Sequence, residues 1–171
     1  GPLAQMVVFA IAPDKMVGVA NAWDESAKAY FDAKYLELPL LGQLYGGKGE
    51  MNLEPLLAAA PDVVIDVGEP KDSMAEDLDA LQEQTGIPFV HIDAYLAAMD
   101  DTYAMLGDLL AMPNEAQGLA DYCRYAYDKV KAIADSVEKV NLLYVTGEEG
   151  LNVIARGSYH AEVIDMLCNN L

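Results

Sequence analysis

The sequence predicts an α/β fold in which a parallel sheet is wrapped by helices on both faces. Three observations predict it. Residues 51–68 read as a short helix followed at once by a buried strand. Strand and helix patterns alternate from the start of the chain to about residue 112. A long amphipathic pattern over residues 113–140 is then followed by a fresh pair of strands. Alternation of this kind implies a parallel sheet covered by helices.

The totals bound the rest. The chain has 171 residues, 53% of them hydrophobic, which is ample for a core and excludes wholesale disorder. It carries 28 acidic against 10 basic residues, a net charge of −18. Nucleic acid and anionic membrane are excluded as general partners, because their phosphates would be repelled. Cys123 and Cys168 sit in helical patterns and read as free thiols rather than a disulfide framework. Neither pairs at metal-ligand spacing with His91 or His160. The apolar stretches are too short to cross a bilayer.

In chain order, residues 3–12 carry apolar side chains at helical spacing, with Pro2 suited to the first helical position. Residues 16–20 read as a short strand containing Gly18, residues 25–35 as a charged surface helix, and residues 37–42 as extended around Pro39. Tyr45-Gly46-Gly47-Lys48-Gly49 is the strongest loop signal. Asn52 then caps a helix whose Leu53, Leu56 and Leu57 share a face; Pro61 ends it. Val63-Val64-Ile65 follow as a strand buried on both faces, stopping at Gly68.

A polar helix is expected over residues 71–84, a strand over 89–92, and a helix over 94–112. The helix over 113–140 would be about 40 Å long at about 1.5 Å per residue, suiting a strut between two lobes. It also suits a helix packed along one sheet. Beyond it, residues 141–145 and 151–155 read as strands around a turn at 147–150, and residues 159–169 as a last helix. The divisions expected are therefore an α/β lobe over 1–112, a linking helix over 113–140, and the start of a second lobe over 141–171.

Asn52-Leu53-Glu54, the short helix, Pro61-Asp62 and the buried strand together resemble one family, the helical-backbone (class III) substrate-binding proteins of ABC importers. Thr85-Gly86-Ile87-Pro88-Phe89-Val90, the long helix, Leu143-Tyr144-Val145, Gly150-Leu151-Asn152-Val153 and residues 157–165 extend the likeness. It implies a Rossmann-like lobe, a backbone helix, and a ligand cleft between two lobes. Members open with an apolar strand before the segment matching Gly1-Pro2 and carry a full second lobe. Both are missing, so the resemblance marks a fragment.

The resemblance implies capture of an iron–siderophore complex, with heme, cobalamin or molybdate/tungstate as alternatives, and delivery to a membrane permease. It implies an extracytoplasmic monomer, periplasmic or lipid-anchored, without catalysis or a cofactor. Cleft residues would come from loops beyond the strands' carboxyl ends. These are Gly1 and Pro2 at a helix start, then Tyr45, Gly46, Gly47 and Lys48. Glu69 and Lys71 follow the buried strand, and Arg156, Ser158, Tyr159 and His160 face them from the second lobe. Lys48, Lys71 and Arg156 would suit an anionic chelate. Each also reads simply as a solvated surface cation.

Tyr159 and His160 equally suit a helix start, and His91 a strand interior. Glu54 would dock on permease arginines, though a first-turn glutamate also complements the helix dipole. The rival class is a small Rossmann-like enzyme domain, but no phosphate fingerprint, nucleophile elbow or metalloprotease motif is present. An interaction module using the acidic face is a third reading.

Overall fold

A computed structural model of the chain describes residues 1–45 and 51–171. The Gly46, Gly47 and Lys48 positions expected in a cleft loop lie outside the described residues. The centre of the first lobe is a parallel pair, β1 (Val64–Gly68) and β2 (Phe89–Asp93), in register from Val64 opposite Phe89 to Gly68 opposite Asp93. Side chains alternate across a strand, so each strand feeds two cores. On one face Val67 and Ile92 pack with Ala4, Val7 and Ile11 of α1 (Pro2–Ile11) and with Leu106 of α5 (Met99–Leu109). On the other, Phe89 packs with Leu56 of α3 (Leu53–Ala59) and with Met74 and Leu78 of α4 (Met74–Thr85). The expected layering, a parallel sheet between helices, is present.

Local chemistry explains the ends of these helices. Pro2 opens α1, where its missing N–H costs nothing. Asn52 caps α3, its side chain accepting from the Glu54 N–H at 3.2 Å. Ala60 closes that helix at φ 45°, and Gly86 closes α4 at φ 72°. The long helix α6 (Pro113–Ser136) again opens on proline. Its 24 residues span about 36 Å at about 1.5 Å each, four residues short of the sequence reading at its C-terminal end.

Several expected elements differ. Residues 16–20 form no strand beyond a single bridge between Val19 and Leu40. The ladder there is two bonds, Val19 N–H to Pro39 O and Leu41 N–H to Val19 O, and Pro39 has no N–H with which to extend it. The surface helix over 25–35 is two pieces, a 3-10 turn at Glu25–Ala29 and α2 (Ala33–Leu36). Asp24 and Asp32 each cap one piece, and a capping aspartate starts a helix rather than continuing one. The residues between close an aromatic cluster: Phe9 lies 5.0 Å from Trp23 and 4.4 Å from Phe31, ring centre to ring centre. The helix expected over 94–112 begins with a 3-10 turn at Leu96–Ala98 and becomes α-helical at Met99.

After α6 the strands are short. The segment 141–145 divides into β3 (Asn141–Leu142) and β4 (Val145–Thr146), and β4 pairs antiparallel with β5 (Asn152–Val153). Gly147 and Gly150, at φ 82° and 65°, make the turn between them. The last helix is a 3-10 turn at Tyr159–Ala161 running into α7 (Glu162–Leu167). It stops because Asn169 and Asn170 leave it as β6 (Asn169–Asn170), parallel to β3. Asn170 is buried and donates to Ile154 O and to Asp165 Oδ1, at 3.2 and 2.9 Å.

Asp165 ties this region together. It accepts from the Gly157 N–H at 2.7 Å and from Asn170, and these bonds hold its carboxyl below the usual range, with the Arg156 and Lys139 charges adding to them. A lowered folded value gives stability that is present above the ordinary one and lost as pH falls through the folded one. Acidification from about pH 5 downwards is therefore expected to speed amide exchange at Gly157 and at the neighbouring Asn169 and Leu171 amides of β6 before β1 and β2 respond. Equal loss of protection throughout would contradict this.

Candidate functional site

The loops beyond the carboxyl ends of β1 and β2 meet the segment that follows α6. Gly68 ends β1, and Glu69 and Lys71 follow as an ion pair at 3.0 Å. Asp93 ends β2 opposite Gly68, and Tyr95 and Leu96 follow it. Two contacts cross from this rim to residues 159–162. The Tyr95 and Tyr159 rings meet edge to face at 5.8 Å, and the Leu96 N–H donates to Glu162 Oε2 at 2.8 Å. Burial pushes the Tyr159 phenol upward, with the Glu162 and Glu69 carboxylates adding to it. A pocket of about 240 Å³ beside them is lined by Leu96, Tyr127, Ser158, Glu162 and Met166 among others.

The expected site residues divide accordingly. Glu69, Lys71, Ser158 and Tyr159 gather at this junction, and His160 stands beside Tyr159 with its ring exposed, 5.5 Å from the phenol ring. Gly1 and Pro2 begin α1 near Gln43 and Asp66, with the Gly1 nitrogen 3.4 Å from Asp66 Oδ1. Tyr45 is turned into the first lobe. It packs on the second core and its hydroxyl donates to Asp77 at 2.9 Å, so its ring is no free stacking face. Burial and the Asp77 bond push its phenol up to about 12. Arg156 is likewise committed, donating from Nε to Asn170 O at 2.9 Å.

The cationic cleft expected for an anion is therefore not assembled among the described residues. Lys71 is neutralised by Glu69, Arg156 is spent on a backbone carbonyl, and Glu162 and Asp93 add negative charge. Glu54 is exposed in the first turn of α3.

Sequence reasoning missed Asp93, Tyr95 and Glu162. The rule that ligands gather beyond strand carboxyl ends applied to β2 as much as to β1, so Asp93 and Tyr95 were within its reach. Among the described residues no group of three or more His, Cys, Asp or Glu is placed to hold a metal ion. No described helix is long and apolar enough to cross a membrane. A larger cavity, about 480 Å³, lies elsewhere, along β1 between α1 and residues 16–20 and 41–44. Its lining is mostly apolar, with Ala4, Val8, Val17, Val64 and Ile65.

Comparison with known proteins agrees with this geometry. No curated protein matches the chain. An ABC transporter solute binding protein from Sulfurospirillum deleyianum superimposes with a TM-score of 0.83 at 22% identity, over 97% of this chain and 53% of that one. The periplasmic vitamin B12 binding protein BtuF of Vibrio cholerae gives 0.72 at 22%, over 100% and 62%. A periplasmic heme binding protein from Pseudomonas aeruginosa gives 0.64 at 26%, over 99% and 60%. The chain thus spans a little over half the length of these proteins. All three are described as binding proteins. The family model described as "Periplasmic binding protein" matches residues 4–170. With nearly its whole length matched, the chain belongs to the periplasmic binding protein family.

Proposed function

We propose that the chain is the ligand-capturing part of an ABC importer's extracytoplasmic binding protein, holding a metal chelate where its two lobes meet. The observation that carries this is the meeting itself. Tyr95 and Leu96 from the first lobe reach Tyr159 and Glu162 from the second, beside the Glu69–Lys71 loop. The lobes would be residues 1–112 and 141 onward, with 113–140 as the link. One stiff helix hinges poorly, so closure on ligand would be small.

An iron–siderophore-type complex is the ligand we favour, with heme, cobalamin or molybdate/tungstate as alternatives. The B12-binding and heme-binding relatives support an organic chelate over a bare oxyanion, as does the acidic junction. Calorimetric titration with a ferric trihydroxamate, heme, cobalamin and molybdate tests it. One chelate is expected to bind. Binding of molybdate alone would contradict the ligand class, and binding of none would contradict capture.

Delivery would use Glu54, exposed at the start of α3. Glu54→Ala is expected to weaken docking on the permease by about 1–2 kcal/mol while ligand affinity stays unchanged. Measuring both in permease-containing liposomes checks it; loss of ligand affinity with intact docking would reverse the assignment.

A further inference from the structure

We propose that Glu162 is a positioning residue for the capture site: its hydrogen bond to Leu96 sets the gap between the loop after β2 and residues 157–162. The proposal rests on the capture reading and goes beyond it by naming what fixes the width of the site.

Glu162 Oε2 accepts from the Leu96 N–H at 2.8 Å. Among the described residues this is the one hydrogen bond that joins residues 1–112 to residues 141–171. The edge-to-face contact of Tyr95 and Tyr159 lies beside it. Tyr95 and Leu96 are consecutive, and Tyr159 and Glu162 are three apart through a helical turn, so each pair presents its two groups together. The two contacts act as a single clamp.

Both ends of the clamp are anchored. Before Leu96, the Ala94 N–H donates to Gly68 O at 3.0 Å and the Thr102 hydroxyl to Asp93 O at 2.9 Å. Leu96 opens the 3-10 turn that runs into α5, and the first N–H groups of a helix have no partner within it. Glu162 supplies that partner from a distant part of the chain. On its side, Asp165 accepts from the Gly157 N–H at 2.7 Å, and Ala161 has no exposed surface. A carboxylate carried on so constrained a backbone loses little freedom in making the bond.

The long helix alone leaves the gap less determined. α6 packs against the turn after β2 and against α7. Two bodies attached along one helix keep a rocking motion about it, and a second attachment off the helix removes that motion. Packing does not supply the second attachment. The pocket of about 240 Å³ takes its walls from both sides, Leu96 and Ala97 against Ser158 and Met166, with Tyr127 of α6 between them. Walls separated by a void exert little attraction, so the width falls to the Glu162 bond.

Distances between two nitroxide labels, measured by pulsed electron resonance, test this. The labels go on exposed positions either side of the gap, Asp79→Cys and Glu148→Cys, with Cys123→Ala and Cys168→Ala. Glu162→Asp keeps the charge and the acid in the first turn of α7 but is one methylene too short for Leu96. Glu162→Gln loses the charge and keeps an oxygen that accepts from the Leu96 N–H. The distance distribution is expected to broaden in Glu162→Asp and to stay narrow in Glu162→Gln. A distribution in Glu162→Asp as narrow as with Glu162 in place would mean that α6 alone fixes the gap. One as broad in Glu162→Gln as in Glu162→Asp would make charge, not the bond, responsible. Either overturns the proposal. A ferric trihydroxamate is expected to bind at least about tenfold more weakly to Glu162→Asp, with Glu162→Gln close to the unsubstituted chain. Equal binding to all three overturns the positioning role and leaves capture intact. Binding to none, with the distances as expected, keeps the clamp and counts against capture.

Discussion

Leu106→Ala is expected to lower the unfolding free energy by about 2–5 kcal/mol. Leu106 has no exposed surface and lies in the core formed by Val67, Ile92, α1 and Ala116 of α6. It therefore packs where the sheet, the first helix and the long helix all come together. Removing three carbons there loses their transfer energy and leaves a cavity that four elements would have to collapse around. Urea unfolding at unchanged m-value measures it. A loss below about 1 kcal/mol would mean that α5 does not hold the long helix to the lobe.

Gly107→Ala is expected to destabilise by about 1–3 kcal/mol, although alanine is the better helix former. A Cβ at Gly107 would sit 2.4 Å from the Ala116 Cβ and 3.3 Å from Met112 O and Pro113 Cα. The gain in helix propensity is at most about 1 kcal/mol. The clash wins because it meets a methyl fixed to a helix and two backbone atoms, none of which can turn away. Ala116→Gly should rescue part of the loss, and a double-mutant cycle isolates the coupling. Additive effects would mean that α5 and α6 do not meet through these two residues.

Those residues also show what a sequence can and cannot carry. Periodicity and end signals were enough for α1, the α3–β1 unit, α4, β2 and α6, because Pro2, Asn52, Pro61, Gly86 and Pro113 mark their limits locally. The division of residues 25–35 was also legible, in the capping positions of Asp24 and Asp32. β6 was not. Asn169 and Asn170 favour no strand by themselves, and what fixes them is distant, Ile154 O, Asp165 and the Lys139 carbonyl.

The candidate site divides the same way. Loop positions after a strand can be read from sequence, and they placed Glu69, Lys71 and Tyr159 near one another. Side-chain commitments cannot be read so. Lysine beside glutamate, arginine on a carbonyl and Tyr45 on Asp77 look identical in sequence to free cleft groups. His91 is the sharpest case, since its meaning depends on Asp66, a residue 25 positions away.

Amide hydrogen exchange with and without the chelate that binds tests the central claim most directly, that ligand is held where the two lobes meet. The account predicts added protection at residues 68–71, 93–96 and 157–162 together, from both lobes at once. Protection confined to residues 16–20 and 62–65, along the apolar cavity beside β1, would contradict it.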